Sequence, residues 1–174
     1  AGIPGTIGGA ACMNAGSGAH TLGLVVEEVG AVDPAGRFTR LGREQLFFAY
    51  RYSNLDNLVV TDVRLRLRPD DPEAVETRRA RTLAAKAENQ PLDQQTAGCV
   101  FCNPDGDSAG RLIEAAGCKG LTVGAAAVSE KHANFLVNRG GASFRDMLRL
   151  IELVRMQVDR ECGVNLQLEV KLWL

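Results

Sequence analysis

The chain lacks a charge imbalance: 20 Lys and Arg stand against 21 Asp and Glu, a net charge of −1. A nucleic-acid binder would normally carry a strongly basic face, so that class finds no support. Long apolar runs are missing too. No stretch approaches the ~20 residues a helix needs to cross a bilayer. Nothing at the start has the charged-then-apolar form of a secretory signal. Internal repeats and low-complexity segments are also missing. Cysteine is present, but Cys12, Cys99, Cys102, Cys118 and Cys162 form an odd, scattered set. That argues against a disulfide framework and fits a reducing, cytoplasmic setting. What is there is a chain of 174 residues, 45% hydrophobic and 24% charged, enough for one domain or two small ones. It opens at Ala1, without Met and inside a glycine-rich motif, so we expect natural sequence upstream.

That motif runs Gly2-Ile3-Pro4-Gly5-Thr6-Ile7-Gly8-Gly9-Ala10, followed by Met13-Asn14-Ala15-Gly16-Ser17-Gly18. Glycines this dense permit positive φ and close backbone approach to a ligand. Bare N–H groups in such a loop can cradle phosphate. A tight set of turns between strands is the plainer alternative.

Apolar, β-rich stretches follow at Leu22–Val29, Ala31-Val32 and Leu58–Leu67. Asp33-Pro34-Ala35-Gly36 is a turn signal, which predicts a hairpin between Val25–Val32 and Arg37–Leu41. Asp70-Asp71-Pro72 opens a helix with acidic caps and an early proline, running through Ala74–Ala87. Its Arg78, Arg79, Arg81 and Lys86 make a solvated face, with Lys86 also a candidate phosphate contact. Asn89-Gln90-Pro91 ends the helix and marks a domain junction. Ser108 caps a short helix, Ala109–Ala116, closed by Gly117. Ser143-Phe144-Arg145-Asp146 is a variant capping box. Met147, Leu150, Ile151, Val154 and Val158 then recur at helical spacing as a core stripe, and Gly163 ends that helix. From Val164 to Leu174 apolar and polar residues alternate, as in a half-buried strand, with Glu169 on the polar face.

Few residues point to chemistry by themselves. Cys99 and Cys102 form a C-x-x-C, which suits incidental thiols, a redox pair or half of a zinc site. A zinc site needs two more ligands, and no second close pair supplies them. A redox pair prefers a helix N-terminus, whereas Gly98–Pro104 reads as a strand entering a turn. A lone His132 is more often structural than catalytic. Arg51 lies between Tyr50 and Tyr52. It is either a stacked surface residue or a planar fork for a carboxylate or phosphate.

Taken in order, these segments resemble one family, the UDP-N-acetylenolpyruvoylglucosamine reductases. The glycine-rich opening and Met13-Asn14-Ala15-Gly16 look like its flavin-contacting loop. Tyr50-Arg51-Tyr52-Ser53 looks like its Y-R-x-S motif. Ala97-Gly98-Cys99-Val100-Phe101-Cys102-Asn103-Pro104 looks like its proton-donor segment. Ala109–Glu114, Ser129–Asn138 and Leu168-Glu169-Val170-Lys171 complete the set. The resemblance covers essentially the whole chain. Gly124-Ala125-Ala126-Ala127-Val128 departs from the family's usual G-G-A-Q-V.

The resemblance implies an α+β fold. Residues 1–88 would be the remainder of an FAD-binding domain. Residues 89–174 would be a substrate-binding α/β domain whose last strand can return toward the first. It implies reduction of an enolpyruvyl UDP-sugar to UDP-N-acetylmuramate, an early cytoplasmic step of peptidoglycan synthesis, with FAD and NADPH. Gly5, Thr6, Ile7, Gly8, Gly9, Asn14, Ala15 and Gly16 would contact the flavin. Arg51 would steady charge on the substrate carboxylate, and Glu169 would stabilise the enol if protonated. Cys99, where the family commonly has serine, would deliver the final proton. A thiol with pKa near ~8.5 is mostly protonated at neutral pH and is a better acid than an alcohol. Tyr50, Lys86 and Asn103 would meet the UDP-sugar. A monomer is expected, with no nucleic-acid, membrane or metal partner. The family's upstream flavin-binding lobe is absent from this sequence. A UDP-sugar-binding fragment without redox activity is the second reading, and a thiol-redox or zinc module on Cys99 and Cys102 the third.

Overall fold

A computed structural model describes residues 2–173. The chain divides into two compact units, Ala1–Ala80 and Arg81–Leu174, and the division falls inside a helix.

In the first unit the glycine-rich opening is not all turn. Ile7–Cys12 forms a short helix, α1, because Thr6 caps it: its hydroxyl accepts from the Gly9 N–H at 3.1 Å. Gly8 faces Val60, where a Cβ would sit in contact at 3.4 Å. One short pair follows the helix, β1 (Gly16–Ser17) with β2 (His20–Thr21). The predicted hairpin forms as β3 (Val26–Val32) and β4 (Phe38–Gly42), with Val32 opposite Phe38. Asp33 holds its turn by accepting from the N–H groups of Ala35 and Arg37. The first strand starts at Val26, later than the apolar run suggests, because Leu22–Leu24 winds into a 3-10 turn. A second small hairpin pairs β5 (Phe48–Ala49) with β6 (Tyr52–Ser53). β7 (Val59–Leu65) completes the antiparallel sheet β4-β3-β7. Val26, Val29, Ala31, Leu46 and Leu55 bury its core with Ala11 of α1.

Helix α2 (Pro72–Asn89) starts where Asp71 accepts the Ala74 N–H at 2.8 Å and proline fills the first helical position. No residue in it is fully buried. Arg78 pairs with Asp70, and Arg79 with Glu76, on the solvated face expected of it. Its C-terminal end is held by Lys131, whose Nζ donates to the Ala87 carbonyl at 2.5 Å. That satisfies one of the carbonyls a helix end leaves without a partner.

The second unit is mixed α and β. Its sheet runs β8 (Gln95–Cys99), β11 (Phe135–Asn138), β10 (Ala126–Val128), β9 (Thr122–Val123), with every described pairing antiparallel. Helix α3 (Ala109–Ala115) starts at the predicted Ser108 cap. Helix α4 (Phe144–Cys162) has the full capping box between Ser143 and Asp146 and ends on Gly163 at φ 67°. Leu150, Ile151, Val154 and Val158 bury against Leu112, Ile113, Val128 and Leu136, so the stripe is core as expected.

The alternating tail does not form the predicted strand. Residues 164–173 are irregular apart from one antiparallel bridge, Leu168 to Phe101. The alternation still reports burial: Leu166 is buried, while Asn165 and Gln167 are exposed. A strand also needs a partner edge. Among the described residues only Val100–Cys102 offers one, through Cys102 N–H to the Gln167 carbonyl and Glu169 N–H to the Val100 carbonyl, both 2.8 Å. Leu174 lies outside the described residues.

Candidate active site

In the first unit two of the motifs converge. Tyr50 and Arg51 form the two-residue turn between β5 and β6, and Arg51 sits at φ 52°. A non-glycine residue in the left-handed region is strained, and such strain persists only where the surroundings over-determine it. Here three contacts to the glycine-rich segment do so. Arg51 Nη2 donates to the Gly16 carbonyl at 3.1 Å. Ser53, fully buried, donates to the Cys12 carbonyl at 2.7 Å. Asn14, itself at φ 43°, donates from Nδ2 to the Ala49 carbonyl at 2.7 Å and accepts from the Gly23 N–H at 2.9 Å. The guanidinium lies 5.1 Å from the Tyr50 ring centre, and Tyr50 is exposed. Arg51 is therefore both stacked and anchored. Gly5, Thr6, Ile7 and Gly9 are exposed, whereas Gly8, Ala15 and Gly16 are half-buried.

In the second unit Cys99 and Glu169 approach one another through the backbone. β8 ends at Cys99, which is half-buried. The next residue, Val100, accepts on its carbonyl from the N–H groups of Glu169 and Val170, at 2.8 and 3.3 Å. The polypeptide thus brings Glu169 to within one residue of Cys99. Asn103 lies beyond them, and its Oδ1 accepts from the Ala109 N–H at 3.0 Å, at the start of α3. Lys86 is half-buried in the last turns of α2, and burial pushes its ammonium below the usual lysine range.

The same geometry weighs on the other readings. The Cys102 thiol points to the Leu168 carbonyl, 3.8 Å away. Cys99 sits on a strand rather than at a helix N-terminus. None of the five cysteines is in a disulfide. Among the described residues no cluster of three His, Cys, Asp or Glu side chains is placed to hold a metal ion. His132 fits its structural reading. It packs edge-on against Phe135 at 4.7 Å, accepts on Nδ1 from the Asn134 N–H, and is pushed by burial below the usual imidazole range.

Two polar residues that carry no evident chemistry in the sequence do most of the holding. Ser53 is one. Asn134, 2% exposed, is the other: its Oδ1 accepts the Phe101 N–H at 2.9 Å and its Nδ2 donates to the Phe101 carbonyl at 2.8 Å. Both lie in motifs quoted above, and only that placement marks them. An open cleft of about 550 Å³, lined by Gln95, Glu130, Lys131 and Arg139 among others, lies at the far end of β8 from Cys99. Neither Cys99 nor Glu169 lines it.

Residues 90–173 match the UDP-N-acetylenolpyruvoylglucosamine reductase C-terminal domain family, so the second unit has the fold of a reductase's C-terminal domain. The reductase of Heliobacterium modesticaldum is 47% identical over 98% of this chain, and that of Moorella thermoacetica 47% identical over 99%. The chain spans 55% and 58% of those two proteins. The crystal structure of UDP-N-acetylenolpyruvylglucosamine reductase from Thermus caldophilus superposes with a TM-score of 0.88 at 40% identity, covering 99% of this chain and 62% of that one. Over nearly its whole length the chain is similar to UDP-N-acetylenolpyruvoylglucosamine reductases, and residues 90–173 carry that family's C-terminal domain. No described helix is long and apolar enough to cross a membrane.

Proposed function

We propose that the protein carrying this chain reduces an enolpyruvyl UDP-sugar to UDP-N-acetylmuramate, with NADPH as reductant and FAD as carrier, in the cytoplasm. The observation that carries the reading is the junction at Val100, where the Glu169 backbone is held one residue from Cys99. The names of the relatives support the substrate class. Residues 1–88 serve the flavin and residues 89–174 the sugar. The exposed glycine segment fits a flavin. Gly5 has φ 109° and no atom within 4 Å of where a Cβ would stand, so a flat ring system can approach the backbone. Gly5 to Gly9, with Asn14 to Gly16, would hold it.

FAD, once reduced by NADPH, would supply the hydride to the vinyl carbon. This chain's residues supply the rest. Arg51, pre-set by its turn, balances negative charge as it grows on the substrate carboxylate; a fixed cation lowers that barrier because it need not reorganise. The Cys99 thiol donates the proton that the adjacent carbon requires. The Glu169 carboxyl hydrogen-bonds the enol. Tyr50, Lys86 and Asn103 bind the sugar nucleotide.

Stopped-flow half-reactions on the full-length protein test this. Cys99→Ala should leave flavin reduction by NADPH unchanged and slow sugar reduction by about 10²-fold or more. Equal losses in both halves would contradict the acid role. Sugar binding by a full-length protein that takes up no flavin would leave only the binding reading.

A further inference from the structure

The pairing of β8 with β11 contains one extra residue. Thr96 stands opposite Val137, but Cys99, three residues on, stands opposite Phe135, only two residues back. Paired residues of an antiparallel ladder share a face, and alternation assigns faces by parity. The two faces are distinct here. Ala126, Val128 and Leu136 belong to the core packed by α3 and α4, whereas Phe135 and Val137 are buried outside that cluster. Plain alternation from Thr96 would turn Cys99 into the helix-packed core. The inserted residue turns it to the opposite face, beside Phe135. Bulges of this kind re-aim a side chain next to active sites.

Two residues fix the bulge. Gly98 takes φ 89°, which L side chains rarely adopt, and its N–H donates to the Thr96 hydroxyl at 3.2 Å. No atom lies within 4 Å of where its Cβ would be, so backbone conformation and not space requires glycine. Asn134 closes the far side. Its amide grips both polar groups of the Phe101 backbone, and its own carbonyl accepts the Val100 N–H at 2.9 Å. The chain leaving Cys99 therefore cannot slip back into regular register without breaking three buried hydrogen bonds.

We propose that Gly98 and Asn134 are positioning residues that aim the Cys99 thiol away from the helix-packed core, toward the side from which substrate is reached. The proposal rests on reading Cys99 as the acid, but its test does not. The test is the alkylation rate of each cysteine by iodoacetamide across pH 6–10, read by peptide mass spectrometry on the intact chain. The buried Cys118, 1% exposed, reports unfolding.

In the unaltered protein Cys99 should react at least tenfold faster than Cys118; equal protection of the two would overturn the proposal without any variant. Gly98→Ala and Asn134→Asp should each slow Cys99 about tenfold or more and move its pH profile upward, while Cys118 stays protected. Asp keeps the acceptor for the Phe101 N–H and loses the donor to its carbonyl. Gly98→Asn, whose side chain tolerates positive φ, should restore the unaltered profile. Cys99 profiles that stay unchanged in Gly98→Ala and Asn134→Asp, with Cys118 still protected, would overturn the aim. Slowed alkylation with sugar reduction intact would uphold the aim and sink the acid reading instead.

Discussion

Asn14 offers a measurable separation of two effects, hydrogen bonding and backbone strain. Its side chain is 4% exposed and joins the end of α1 to two distant points, the Gly23 N–H and the Ala49 carbonyl. Gly23 is buried and Ala49 exposed. Removing the amide thus strands a buried donor, while water can replace the donor to Ala49. The stranded N–H should cost about 1–3 kcal/mol. Asn14 also sits at φ 43°, where alanine is worse than glycine by roughly 1 kcal/mol. Asn14→Ala should therefore lose about 2–4 kcal/mol, and Asn14→Gly about 1 kcal/mol less than that. A urea titration read by hydrogen–deuterium exchange at β3 amides follows this unit by itself. Exchange at Phe48–Ser53 should quicken in parallel, because Asn14 holds the hairpin that bears Arg51. A fully stable Asn14→Ala, or an Asn14→Gly weaker than Asn14→Ala, would refute the reasoning.

Two titrations follow from the second unit. The Arg111 guanidinium beside Asp107, helped by the Ser108 N–H, holds that carboxyl well below its ordinary range, at about 2. Its stabilising contribution should be complete above the ordinary value near ~3.9 and vanish as pH falls through about 2. Carbon NMR of the carboxyl should show that midpoint, with Arg111→Gln returning it toward ~3.9; an ordinary midpoint in the unaltered protein would contradict the pairing. Burial, with Lys119 assisting, pushes His132 below the usual imidazole value. The unfolded chain then takes up the proton first, so stability should fall as pH drops from ~6.5 toward the folded midpoint. A proton NMR midpoint above ~6.5 would be incompatible with it.

What was legible in the sequence is what is decided locally. Ser143 and Asp146 announce the start of α4, and Gly163 its end, because a cap is satisfied within one turn. Asp71-Pro72 does the same for α2. The tail beyond Gly163 shows the limit: its alternation correctly places Leu166 inside, but a ladder needs a partner edge that no local pattern reports. The polar residues show it again. Nothing local distinguishes Asn134 or Asn14 from a surface asparagine, since their burial depends on Phe101, Ala49 and Gly23, all distant in sequence. Cys99 is the sharpest case. The order of motifs singles out Cys99 and Glu169, but does not say that their backbones meet at Val100. The direction of Cys99 was not readable either, because a period of two counts residues and a bulge adds one. The partner that reveals the extra residue, Phe135, lies 36 positions downstream. Reading Cys99 by strict alternation would bury it under α3 and α4. The glycine before it is the only local hint, and it acquires meaning once Phe135 is known to stand opposite. A functional side chain at the end of a strand should therefore be assigned a face from its cross-strand partner, and not from its distance to the last residue whose face is known.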